Sequence, residues 1–166
     1  MSQSSSGAAI AEAKNSSSSG VRRRRKPMPL KVSKDYNAAE VLKGLFLGGK
    51  ELSQDCDRLK ELGITHILNV TTESPNHFTN EFTYLQLPIK DSAEEDLSEI
   101  LPTGVEFISK ARSKGILVHC TVGMSRSAAF VLGYLMVEEK MSLKDAFVLL
   151  KRHRPITSPN KVCVLV

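Results

Sequence analysis

One cysteine and one arginine lie six residues apart in the stretch HCTVGMSRS, which runs from His119 to Ser127. A cysteine thiolate is a strong nucleophile, and the planar guanidinium of an arginine can hold two phosphate oxygens at once. The spacing therefore predicts nucleophilic attack on a phosphate group, with Cys120 as the nucleophile and Arg126 as the phosphate clamp.

The segments on either side of this stretch are those that a phosphate-binding loop requires. An apolar strand is predicted at 116–118, and a largely apolar helix at 125–138. A loop between them directs its backbone N–H groups into one concavity, where the helix N-terminus adds partial positive charge. Such surroundings lower the pKa of a cysteine thiol from about 8.5 to roughly 3.5–7.5. The predicted lining of the concavity is Thr121, Val122, Gly123, Met124, Ser125 and Arg126.

Strands and helices alternate along the rest of the sequence. Strands are predicted at 45–47, 64–70, 82–89 and 116–118, and helices at 51–62, 97–111, 125–138 and 142–153. Ser142 and Asp145 have the spacing of a capping box at the start of the last helix. This alternation predicts an α/β fold, in which a central, mostly parallel sheet is flanked by helices on both faces.

The stretch HCTVGMSRSAAFVLGYLM resembles the dual-specificity branch of the cysteine-based protein tyrosine phosphatase superfamily, whose signature is H-C-x5-R-S. The resemblance covers roughly residues 40–160 and includes GLFLG at 44–48, THILNV at 65–70 and RPITSPN at 154–160. It implies a compact phosphatase fold with a cysteine phosphate-binding loop. It also implies hydrolysis of phosphotyrosine and phosphoserine or phosphothreonine through a cysteinyl-phosphate intermediate.

The same resemblance implies roles for further residues of the site. Ser127 matches the hydroxyl that assists the cysteine as a leaving group, His119 matches the residue that supports the loop, and Asn160 matches a position behind it. A general acid must protonate the leaving oxygen. Asp91 is the predicted acid because it follows a strand where the family carries this residue on a mobile loop. The alternatives are three nearby carboxylates: Glu94, Glu95 and Asp96, the last of which can instead cap the next helix.

Residues 1–35 are predicted to be a disordered tail, and residues 36–166 a catalytic domain. The first twenty residues contain eight serines, and such a segment buries too little apolar surface to offset the entropy cost of ordering it. The net charge of +5 reflects a basic run at 22–26 within the tail. The charge therefore does not predict a nucleic-acid-binding face.

Three interpretations of the basic run remain open. It is a solvated charge run in a disordered tail, a nuclear localisation signal, or, together with Leu30 and Val32, a kinase-docking segment. The resemblance implies the last because some members of the family bind mitogen-activated protein kinases through such motifs. The expected partners are thus phosphoprotein substrates, with a mitogen-activated protein kinase as the candidate for the tail.

The three cysteines, Cys56, Cys120 and Cys163, lack the spacing of a disulfide framework or a metal site. No metal or cofactor is predicted.

The sequence has no signal-peptide pattern and no apolar stretch of the roughly 18 residues that a spanning helix needs. We therefore expect a cytoplasmic or nuclear location, or both, without membrane association. The last four residues have the C-a-a-X form of a prenylation site, but valine is not a usual final residue, and prenylation of Cys163 stays open.

The sequence departs from the family pattern in two places. Val122 stands where alanine is usual, and the sequence ends six residues after Asn160, where family members continue into a closing helix. The resemblance therefore predicts a domain without that helix. Two alternative functions remain open: a lipid or glycan phosphatase, which the uncharged loop residues disfavour, and a phosphoprotein-binding module with weak or no turnover.

Overall fold

Five strands form one mixed sheet in the computed structural model, which describes residues 38–92 and 95–159. The sheet order is β1-β2-β5-β3-β4; β1 is antiparallel to β2, and the other pairs are parallel. The strands are β1 (Ala38–Leu42), β2 (Leu45–Gly48), β3 (His66–Asn69), β4 (Thr83–Gln86) and β5 (Ile116–His119). The predicted tail, Glu94, Asn160 and Cys163 lie outside the described residues.

Helices cover both faces of this sheet. They are α1 (Lys50–Ser53), α2 (Cys56–Glu61), α3 (Leu101–Ala111), α4 (Arg126–Val137) and α5 (Leu143–His153), with a short 3-10 turn at Arg112–Lys114. Leu45 and Leu47 of β2 pack with α3, α4 and α5 in the larger core cluster. Phe46 between them packs with α1 and α2 in the smaller one. The sheet thus separates two apolar layers, as alternating strand side chains require, and the predicted α/β fold is confirmed.

Three sequence predictions need correction at element boundaries. The helix predicted at 51–62 is two short helices, because the side chain of Asp55 accepts a hydrogen bond from Arg58 N and starts α2 anew. The helix predicted at 97–111 begins only at Leu101, which places Pro102 in its first turn. The strand predicted at 82–89 is shorter, and β1 was not predicted at all. The predicted start of α5 is confirmed at the N-cap, since Ser142 Oγ accepts from Asp145 N at 3.1 Å and donates to Asp145 Oδ2 at 2.7 Å.

The carboxyl ends of the parallel strands meet at one edge of the sheet. Asn69 of β3 and His119 of β5 are paired in register there, and Gly48 of β2 lies on the other side of His119. The loops that follow β3, β4 and β5 therefore leave the sheet at this edge. In α/β folds such an edge is the usual place of a binding site.

Among the helices in the described ranges, none has the length and apolar character of a membrane span.

Candidate active site

Cys120 follows β5 directly and lies at the base of the predicted loop. The residue is 2% exposed, and its sulfur accepts hydrogen bonds from Gly123 N and Ser127 Oγ, both at 3.2 Å. Burial alone would raise the pKa of the Cys120 thiol. Hydrogen bonds from the Ser127 hydroxyl and from the backbone N–H groups of Ser127, Gly123 and Met124 more than offset burial, and they lower the pKa below its ordinary value. The site therefore stabilises the thiolate more than water does.

Arg126 is the first residue of α4 and is 3% exposed. Its Nη1 donates to the carbonyl of Ile89 at 2.9 Å, and its Nη2 donates to Thr121 Oγ1 at 2.9 Å. The fold thus brings the predicted nucleophile and the predicted clamp to one loop. Their catalytic roles remain predictions.

Glu73 is a carboxylate of the site that the sequence did not reveal. It lies in the loop after β3, and its oxygens accept from Arg126 Nη1 at 3.1 Å and from Nη2 at 2.7 Å. Thr121 also donates its hydroxyl to Glu73. The hydrogen bonds from Arg126 hold the pKa of Glu73 far below its usual range. No local pattern distinguishes Glu73 from a surface glutamate, because its partner lies 53 residues away along the chain.

The predicted general acid, Asp91, lies beside the clamp. Asp91 Oδ2 is 3.6 Å from Arg126 Nη2, and the Asp91 side chain is about half exposed. Asp96 instead accepts a hydrogen bond from Ser98 N at 2.9 Å, in the turn that leads to α3. Glu94 is outside the described residues, and Glu95 lies in the same turn region. The geometry agrees with Asp91, whose role stays a prediction.

His119 is the last residue of β5 and is almost fully buried. Its Nδ1 lies 3.4 Å from the carbonyl oxygen of Cys120. Burial lowers the pKa of His119 to about 4, so the imidazole is neutral at physiological pH. A neutral ring can donate one hydrogen bond to the Cys120 carbonyl, which agrees with the predicted support of the loop.

Arg154 binds two backbone carbonyl groups of the loop. It follows α5, is buried, and donates from Nε to Gly123 O at 2.6 Å and from Nη2 to Val122 O at 2.7 Å. Ser158 N adds a hydrogen bond to Met124 O at 2.9 Å. The RPITSPN segment contains Arg154. The resemblance, however, implied support of the loop by Asn160, which lies outside the described residues.

Gly123 is the position at which the loop needs a glycine. Its φ is +72°, in the left-handed region, and a Cβ atom there would lie 2.3 Å from Gly48 O. The loop is thereby pressed against the end of β2. Of its other predicted lining residues, Ser125 is buried and precedes α4, whereas Val122 and Met124 are exposed at the rim.

Within the described ranges, no group of three metal-ligating side chains occurs.

The family model described as "Dual specificity phosphatase, catalytic domain" matches residues 45–164. The chain belongs to the dual specificity phosphatase family. Human dual specificity protein phosphatase 6 is 42% identical over 136 residues, which are 80% of this chain and 36% of that protein. The dual specificity protein phosphatase Mpk3 of Drosophila melanogaster is 42% identical over 133 residues, 76% of this chain and 32% of Mpk3. The chain thus spans about a third of these relatives.

Solved structures agree with the dual specificity phosphatase fold. The human tyrosine phosphatase-like serine/threonine/tyrosine-interacting protein superposes with a TM-score of 0.73 at 34% identity, covering 78% of this chain and 91% of that one. Human DUSP28 superposes with a TM-score of 0.72 at 30% identity, covering 76% and 86%. The family predicted from the sequence is confirmed.

In this member of the family, Ser127→Ala should raise the pKa of the Cys120 thiol, because it removes a hydrogen bond to the charged sulfur, and such a bond contributes roughly 1.5–3 kcal/mol. The measurement is the pH dependence of alkylation of Cys120 by iodoacetate, followed by mass spectrometry of the peptide that contains it. Ser113→Ala, at an exposed serine in the 3-10 turn, is the control. An unchanged midpoint would refute the role of the hydroxyl.

His119 should make the dual specificity phosphatase less stable in mild acid. The unfolded imidazole titrates near pH 6.5 and the folded one at about 4, so the unfolded state binds more protons between these values. Stability is therefore complete above the unfolded pKa and falls as pH drops towards 4. We expect this residue to lower the free energy of unfolding by about 2 kcal/mol between pH 7 and pH 5.

Urea denaturation at the two pH values measures this effect. The difference should shrink in His119→Gln, and the same change at His153, the last residue of α5, controls for the loss of an imidazole. Equal acid sensitivity in the wild type and His119→Gln would show that His119 does not bear the effect.

Proposed function

We propose that the chain is a protein phosphatase that hydrolyses phosphotyrosine and phosphoserine or phosphothreonine through a cysteinyl-phosphate intermediate. The observation that carries the proposal is the pair formed by the Cys120 sulfur, which accepts two hydrogen bonds, and the buried guanidinium of Arg126 six residues later. A thiolate next to a phosphate clamp has the elements of nucleophilic phosphoryl transfer. Membership of the family supports the same reaction.

In the first step, the Cys120 thiolate attacks phosphorus, and the bond between phosphorus and the ester oxygen breaks. Asp91 gives its proton to the departing oxygen, which leaves as an alcohol or a phenol. Arg126 and the loop N–H groups stabilise the charge on the three equatorial oxygens.

In the second step, a water molecule loses a proton to Asp91 and attacks the phosphocysteine. The bond between sulfur and phosphorus breaks, and its electron pair returns to sulfur. The Ser127 hydroxyl, 3.2 Å from that sulfur, stabilises the thiolate as it leaves. Inorganic phosphate is then released, and the enzyme is ready for another turnover.

The proposed substrates are phosphoproteins, as the names of the relatives suggest. The exposed rim residues Val122 and Met124 are apolar, so they offer no cation to a polyanionic lipid headgroup. A mitogen-activated protein kinase bound by the basic run at 22–26 is a finer proposal that rests on the sequence motif alone. The proposed location is the cytoplasm, the nucleus or both, because a catalytic thiolate needs a reducing compartment.

A binding module without turnover is the alternative. Overall likeness does not separate the two functions, since one similar structure is a phosphatase-like interacting protein. The hydrogen bonds to the Cys120 sulfur favour turnover, because a module that only binds phosphate has no need of an acidic thiol.

The first test is hydrolysis of a small aryl phosphate by the full chain beside Cys120→Ser. We expect turnover in the wild type and its loss in the variant, because the serine hydroxyl is a far weaker nucleophile than a thiolate. Phosphotyrosine peptides, phosphothreonine peptides and phosphoinositide vesicles extend the assay to substrate class. A folded wild type that binds phosphopeptides without turnover would instead establish the binding module, and a preference for the vesicles would establish a lipid phosphatase.

The second test concerns the proton donor. Asp91→Asn should lower kcat for an aryl phosphate with a poor leaving group by about 10²-fold or more, because the asparagine side chain has no acidic proton to give. Asp96→Asn and Glu95→Gln are the matched controls and should retain the rate. A comparable loss of kcat in one of the controls, with Asp91→Asn active, would reassign the acid.

A further inference from the structure

Arg126 presents two edges of its guanidinium to different partners. One edge is formed by Nη1 and Nη2, and the other by Nε and Nη2; each can hold two oxygens of an anion. Nη1 has both its protons engaged, by Glu73 Oε2 at 3.1 Å and by the carbonyl of Ile89 at 2.9 Å. The first edge is therefore already occupied within the chain.

The second edge is only partly engaged, because Nη2 donates to Thr121 Oγ1 at 2.9 Å. Nε is buried and has no hydrogen-bond partner among the residues that the structure describes, although the arginine is only 3% exposed. A buried N–H group without a partner is costly, and its presence on the predicted phosphate clamp points to an anion that completes it. An oxygen of that anion would meet Nε, and a second one would share Nη2 with Thr121 Oγ1.

Glu73 binds other donors than the loop N–H groups that would hold this anion. In the described part of the chain, its carboxylate accepts hydrogen bonds from Arg126, Thr121 and Thr72, and it has none with the loop N–H groups that surround the Cys120 sulfur. Its side chain is 46% exposed. The carboxylate thus holds the guanidinium from the solvent side and does not occupy the position of a phosphate.

The loop that carries Glu73 is itself fixed. Asn69 at the end of β3 is fully buried; its Nδ2 donates to Ser74 O at 2.8 Å, and its Oδ1 accepts from Thr71 Oγ1 at 2.8 Å. Ser74 N in turn donates to Thr71 Oγ1 at 3.0 Å. These bonds set the position of residues 71–74 relative to the sheet, so Glu73 meets Arg126 from a fixed backbone.

We propose that Glu73 is a positioning residue that holds the Nη1 and Nη2 edge of Arg126, so that its Nε and Nη2 edge faces the phosphoryl group. The proposal rests on the proposed function for the identity of the reaction. Because the carboxylate binds two nitrogens, it fixes the rotation of the guanidinium plane as well as its location. An arginine held in this way needs little reorganisation when charge develops on the equatorial oxygens.

Glu73→Gln is the variant that tests the proposal. It keeps the size of the side chain, but it replaces one carboxylate oxygen with an amide NH₂ group, which cannot accept a hydrogen bond from the guanidinium. We expect kcat for an aryl phosphate to fall about 10- to 100-fold, as displacement of a catalytic group by about 1 Å can cause. KM and the Kd of inorganic phosphate should change by less than about threefold, because loop N–H groups still bind the ground state and a neighbouring negative charge is removed.

Glu81→Gln is the matched control. Glu81 is also a half-exposed glutamate, 49% exposed, and its carboxylate lies 2.8 Å from Lys60 Nζ. It lies in the turn before β4, at the end of that strand away from the Cys120 loop, so its replacement should leave kcat unchanged. Thermal unfolding of both variants separates an effect on positioning from an effect on stability.

A double-mutant cycle with Arg126→Lys identifies the residue through which Glu73 acts. The ammonium group of a lysine has no planar edge to orient. Glu73→Gln should therefore lower kcat much less in the Arg126→Lys variant than in the wild type. An equal cost in both backgrounds would contradict the proposal. A rise in kcat/KM in Glu73→Gln would also overturn it, since that result would make Glu73 a competitor of the phosphate.

Vanadate binding keeps this test separate from that of the proposed function. Vanadate bound to the Cys120 thiolate resembles the transition state, whereas inorganic phosphate resembles the ground state. Glu73→Gln should weaken vanadate binding about 10-fold or more relative to phosphate, and calorimetry measures this ratio without turnover. A wild type inactive on all phosphate esters would refute the proposed function; an unchanged ratio in Glu73→Gln would refute the positioning role.

Discussion

A buried positive charge is the constraint on which the site depends. Arg126 is at the first turn of an apolar helix, where an isolated charge would be strongly unfavourable. The protein compensates it with the carboxylate of Glu73 and the carbonyl of Ile89, which come from the loops after β3 and β4. The opposite charge of the Cys120 thiolate lies on the same loop. The edge of the sheet is therefore organised around two charges that stabilise each other.

The sequence predicts this centre well because its parts are local. The cysteine, the glycine and the arginine lie within seven residues of one another, between a strand and a helix whose apolar patterns are clear. The same is true of α4 and α5, where continuous apolar residues and a capping box mark the elements. In each case the chemistry of neighbouring residues decides the local structure.

The features that were not predicted depend on contacts between distant parts of the chain. Strand β1 has the sequence AAEVL, in which the alanines and the glutamate have little preference for strands, and it forms because it pairs with β2 in an antiparallel hairpin. Arg154 and Glu73 are ordinary charged residues in sequence; each acquires its place only when the loop after β5 comes against it. Charged side chains carry no periodicity that would report such a partner.

The central place of β5 has a consequence for the order in which the molecule assembles. β2 and β3 are separated by fewer than twenty residues, yet they do not pair with each other, because β5 lies between them. That strand follows β3 by more than forty residues, so its pairing closes long loops and is slow in folding. A partly folded chain in which β5 and α4 have not yet docked would carry Cys120 without its ordered hydrogen-bond donors. The stabilised thiolate is thus a late product of folding, and partly folded chains keep an ordinary thiol.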